Sequence, residues 1–81
     1  MLNYSDILNE SKNYYLENIK KEKIYNIQEE FIVMKLYDLI LNILNQEVFN
    51  YVYNFKKEDI EFLIKYNVSI VDLINKFKKY I

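Results

Sequence analysis

The chain has 81 residues drawn from twelve amino-acid types: Gly, Pro, Cys, His, Trp, Ala, Arg and Thr are absent, and 11 Lys against 12 acids leave a formal net charge of −1. Without Cys or His there is no thiolate nucleophile, imidazole base, disulfide framework or soft-metal ligand set, and without Gly no phosphate-cradling glycine loop, so most enzyme classes are excluded. The near-neutral balance gives no whole-molecule field for nucleic acid or anionic lipid, while 52% apolar and 28% charged residues make a folding composition rather than a disordered one.

Ile, Asn, Lys, Leu and Tyr supply nearly two thirds of the chain. All five are encoded by AT-rich codons, so their abundance carries little functional information and their placement carries more. At this length one domain, residues 1–81, is expected, near the lower limit at which a single core suffices.

The first element is read as a helix of four to five turns. Tyr4, Ile7, Leu8, Ser11, Tyr14, Tyr15, Asn18 and Ile19 share an arc of roughly 140° at 100° per residue. Asn3 or Ser5 can cap it, and the run Lys20 to Lys23 suits its C-terminal end.

Asn26 with Glu29 three positions on gives a second start, resembling a capping box. In the segment that follows, Gln28, Lys35, Asp38, Asn42 and Asn45 are confined to roughly 100° of the helix circumference. The remainder, from Phe31 to Leu44, is apolar and needs cover on nearly every side, which three other helices or a partner surface could provide.

Residues 46–55 carry two periods. Phe49, Tyr51, Tyr53 and Phe55 alternate as a strand would, whereas Met34, Tyr37, Leu41, Leu44, Val48, Tyr51 and Phe55 continue a helical series. Helix is favoured. Unbroken from 27 to 54 it would be roughly 42 Å long, too long for a globule with a radius of gyration of about 12 Å, so it bends near 45–47 or projects into a partner.

The C-terminal third reads as two helices. Asn54 caps the first, with Glu58 and Asp59 in its opening turn and Ile60, Leu63, Ile64 and Tyr66 on its buried face. Asn67 is the candidate left-handed terminator in a chain without Gly. Ser69 with Asp72 starts the last helix, whose apolar stripe is Ile70, Leu73, Ile74, Phe77 and Ile81.

The turn Asn67-Val68-Ser69 is similar to the Gly-Val-Ser turn of DNA-binding helix-turn-helix proteins, over about 20 residues of the chain. That resemblance implies a regulator using residues 56–80, with Ser69, Asn75, Lys76, Lys78 and Lys79 toward nucleic acid. Leu63 departs from the small residue that family needs for close packing, and Ile70, Val71 and Asp72 are poor readers of bases or phosphate. The stretch from Asp59 to Asn67 also looks like the second helix of an ankyrin repeat, but no second copy accompanies it.

The acid clusters Glu29-Glu30 and Glu58-Asp59-Glu61 both sit in first helical turns, where the helix dipole favours acids whatever the function. Asn-x-Ser sequons begin at Asn3, Asn9 and Asn67, and with no secretory signal at the start they are expected to be inert. The longest apolar stretch is interrupted by Lys35, Asp38 and Asn42 and is too short to span a bilayer.

The expectation is an all-α protein: a small bundle of three to five helices with a central, mostly apolar helix and a C-terminal helical hairpin. It is expected to be cytoplasmic and non-enzymatic, with no cofactor, metal, membrane or small-molecule substrate. It would bind a protein partner, itself or both, as an inhibitor, adaptor or regulatory subunit of the kind common in phages and other mobile elements. Tyr14, Tyr15, Phe31, Tyr37, Leu41, Phe49, Tyr51 and Tyr53 are the expected contact residues. Helix-turn-helix DNA binding is the alternative.

Overall fold

A computed structural model describes residues 3–20, 29–45 and 55–80. These form an all-α bundle, with no strand among the described residues. Helix α1 spans Tyr4–Tyr14 and runs on as a π-helical segment, Tyr15–Ile19; α2 is Glu30–Asn45, α3 is Lys57–Lys65, and α4 is Ile70–Phe77, closing in a 3₁₀ turn, Lys78–Tyr80. The radius of gyration is 12.3 Å. Among the described residues no helix is long and apolar enough to cross a membrane.

Polar side chains mark several of the helix ends. Asn3 Oδ1 accepts the Asp6 N–H at 3.1 Å, and Ser69 Oγ accepts the Asp72 N–H at 3.3 Å, both as the sequence predicts. Asn67 has φ 53°; Val68 N–H reaches the Leu63 carbonyl at 2.9 Å and Asn67 N–H the Ile64 carbonyl at 3.2 Å. The bonding is a Schellman motif, completed by the burial of both Leu63 and Val68.

The start of α3 differs from expectation. Its N-cap is Lys56, not Asn54, because the Asp59 carboxylate reaches back to accept the Lys56 N–H at 3.1 Å, and the helix starts where that bond forms. At α2 the Glu29 carboxylate accepts Tyr15 Oη–H and Lys20 Nζ, tying the end of α1 to the start of α2. Asn26 and Gln28, the strand-or-helix question over 46–54, and Ile81 lie outside the described residues.

α2 lies at the centre. Val33, Leu36, Leu39, Ile40, Ile43 and Leu44 are buried on it, with α1 and α4 packed along it. α1 contributes Ile7, Ser11, Tyr14 and Tyr15 to the core, α3 Leu63, and α4 Leu73 and Phe77. Ser11 is tolerated there because its hydroxyl donates to the Ile7 carbonyl one turn back, at 2.7 Å.

The faces of α2 and α3 depart from the sequence reading in a connected way. α2 is not covered all round: Phe31 is 74% exposed and Met34 37%. On α3 the buried side carries Asp59 and Leu63, flanked by half-buried Phe62 and Tyr66, while Ile60 and Ile64 face solvent. The helix is rotated from its expected orientation: Phe62, Leu63 and Tyr66 pack toward the core as its apolar face, and Asp59 on the same side meets Lys35 of α2. At 100° per residue, turning 59, 62, 63 and 66 inward carries 60 and 64 outward.

Candidate interaction surface

The rotation of α3 opens a groove of about 300 Å³ against the N-terminal half of α2. Phe31 and Ile32 line it from α2, Phe62 and Tyr66 from α3, with Glu58, Glu61, Lys35 and Lys65 at its rim. Phe62 and Tyr66, one turn apart, pack with ring centroids 4.8 Å apart at 53°, which fixes one aromatic wall. Phe31 on the other wall is mostly in water. Lys65 Nζ lies 5.4 Å from the centre of the Tyr66 ring.

A polar cleft of about 390 Å³ lies alongside, lined by Lys35, Asp38, Leu39, Asn42, Lys56 and Asp59. Burial of Asp59 would raise its pKa; the Lys35 ammonium and the Lys56 N–H together outweigh that and hold the carboxyl below its ordinary value. Asp59 is therefore an ionised anchor between α2 and α3, with its charge already matched.

A third groove, about 250 Å³, runs between α1 and α4 past Glu10, Asn13, Tyr14, Glu17, Lys76 and Lys79. Lys79 pairs with Glu10 at 2.6 Å, and Lys76 Nζ sits 5.0 Å from the centre of the Tyr14 ring. Burial, and then the Asp72 carboxylate, raise the Tyr14 phenol pKa, so it is no ionised nucleophile at neutral pH. Among the described residues no three acid side chains gather as a metal site.

The expected contact residues divide into three groups. Tyr14 and Tyr15 are 5% and 4% exposed and belong to the core, Tyr14 beneath Lys76 of α4 and Tyr15 bonded to Glu29 at the start of α2. Tyr37 and Leu41 are half-buried against the same core, and Phe31 is the one among the described residues that stands clear of it. Phe49, Tyr51 and Tyr53 lie outside the described residues. Of the residues named for nucleic acid, Ser69 is spent on capping α4; Asn75, Lys76, Lys78 and Lys79 are exposed, with Lys76 and Lys79 engaged as above.

The sequence reading missed Phe62, Tyr66, Glu58, Glu61 and Lys65 as a surface. The signal was present in Asp59, an acid at the third helical position that can bond the backbone before it and still meet Lys35 on the polar stripe of α2. No known protein family, curated protein or solved structure matches this chain.

Proposed function

We propose that the protein is a non-enzymatic interaction module that binds a protein partner, itself included, through the aromatic groove between α2 and α3. The exposure of Phe31 carries this reading: a large apolar ring, 74% exposed beside a groove already walled by Phe62 and Tyr66, is an anchor with no seat among the described residues. A groove of this volume takes one or two bulky apolar side chains, and its charged rim suits the polar border of a protein interface.

Regulation or inhibition of a larger machine is a role that suits a sequence with no catalytic residue types beyond acids, Lys, Ser and Tyr. DNA binding through residues 56–80 has less in its favour, since Lys79 is paired with Glu10 and the exposed start of α4 offers Val71 and Asp72. Capture with the tagged wild-type chain beside its Phe31→Ser variant, read by mass spectrometry, tests the reading. A species retained by the first and lost by the second is expected, the untagged chain itself counting as one. Identical profiles would refute it.

A further inference from the structure

The rim of the groove has an order. Along α3, Glu58, Glu61, Phe62 and Lys65 follow one another at spacings of three, one and three, so they form a single stripe facing the same side as Phe31. The stripe is acidic at its N-terminal end and basic at its C-terminal end. Among the described residues neither Glu58 nor Lys65 makes an ion pair, and both are exposed. Such a stripe is complementary to itself when reversed. Centred between Glu61 and Phe62, an antiparallel copy places Glu58 opposite Lys65 of the second copy and Lys65 opposite its Glu58, each roughly 5 Å along the axis from the centre. Most other arrangements of two such stripes, a parallel one above all, set like charges together.

Taking the groove as the binding surface proposed above, we propose that its occupant is a second copy of this chain, related by a two-fold axis that crosses α3 between Glu61 and Phe62. A two-fold contact must use the same patch on both copies, and the ends of this stripe satisfy that condition through Glu58 and Lys65, while Glu61, which pairs with Lys57 of its own helix, falls opposite Phe62 of the second copy. The two reciprocal Glu58–Lys65 pairs set direction and register, while the Phe31, Phe62 and Tyr66 rings of both copies close over the shared axis and leave water. A nine-residue helix with one flanking ring is smaller than the roughly 800 Å² per partner of a standard interface, so assembly depends on concentration.

The test is a charge-reversal set on the full chain, with mass followed by analytical ultracentrifugation from about 1 μM to about 1 mM and helicity checked by circular dichroism. The wild type is expected to dimerise. Glu58→Lys and Lys65→Glu should each weaken the dimer roughly tenfold or more, since each sets two like-charged pairs face to face. Mixing the two variants should restore assembly as a one-to-one heterodimer, because one copy then carries only lysines and the other only glutamates at the paired positions. That rescue requires both variants to be folded and the helices to be antiparallel. A wild type that stays monomeric throughout, a dimer indifferent to either reversal, or a mixture that fails to assemble would each overturn the proposal. A foreign protein captured through Phe31 by a monomeric chain would overturn it too, while leaving the broader interaction reading intact.

Discussion

Lys35 on α2 donates from its Nζ to the Asp59 carboxylate at the first turn of α3, so the polar stripe of the central helix is a seam between helices and not only a solvent face. The same carboxylate accepts the Lys56 N–H, which makes Asp59 both the cap of α3 and its tether. Asp59→Ala should cost about 1–2 kcal/mol through the lost cap and the lost pair with Lys35, lowering the melting temperature by roughly 5–15 °C. Lys35→Met should cost at least as much, because it leaves the buried Asp59 carboxylate with only its backbone bond, whereas a lysine 36% exposed can turn to water when Asp59 is removed. Thermal melts of both variants check the order; equal melting for Asp59→Ala and wild type would remove the tether.

Acid should act through two carboxylates. Glu29 is held below its ordinary value by Lys20 first and by the Tyr15 hydroxyl second, and Asp59 is held below its own by Lys35 and the Lys56 N–H against the opposing effect of burial. A carboxyl whose folded pKa is depressed contributes stability that is complete above its unfolded value and is lost as pH falls through the folded one. Urea midpoints should therefore hold steady from neutral pH to about pH 5 and fall below about pH 4. The double variant Glu29→Gln, Asp59→Asn should start lower and decline less. Parallel curves for wild type and variant would show that these two groups do not carry the acid sensitivity.

What was legible in the chain was the local chemistry of helix ends. Asn3, Asn67 and Ser69 act where they were expected because a cap or a left-handed turn is decided by the residue and its nearest neighbours. The rotation of α3 was not legible, because Ile60 with Ile64 and Phe62 with Tyr66 are rival apolar faces of the same helix, and the choice between them depends on packing and on a charge pair with α2, 24 positions away. The same gap hid the groove. Phe31, Tyr14 and Tyr15 looked alike as contact candidates, since an aromatic on an apolar arc reads the same from the sequence whether it ends in the core, as Tyr14 and Tyr15 do, or exposed, as Phe31 does.

Asn67 offers a direct measure of how well a chain without glycine terminates a helix. At φ 53° an Asn tolerates the left-handed region that a branched side chain does not. Asn67→Gly should leave stability unchanged or raise it by up to about 1 kcal/mol, whereas Asn67→Val should lower it by about 1–2 kcal/mol. Chemical denaturation of the three chains checks this. A valine variant as stable as wild type would mean that the turn finds another way to close.

The central helix should separate folding from binding within a single element. Ile40 is 1% exposed, so Ile40→Ala removes packed methyl groups from a core that cannot fully collapse around the loss, at about 2–5 kcal/mol. That is a large fraction of the stability of a domain this size, and partial unfolding at 37 °C is the expected result. Phe31, nine positions earlier on the same helix, is 74% exposed and leaves little behind when removed, so Phe31→Ser should change monomer stability by no more than about 0.5 kcal/mol. Measured at low concentration, where assembly does not contribute, the two variants should thus differ severalfold in unfolding free energy. At high concentration the order of their effects on assembly should reverse among the molecules that remain folded, because Phe31 then loses its seat. A Phe31→Ser monomer as unstable as Ile40→Ala would place that ring in the core and remove the basis for a surface there.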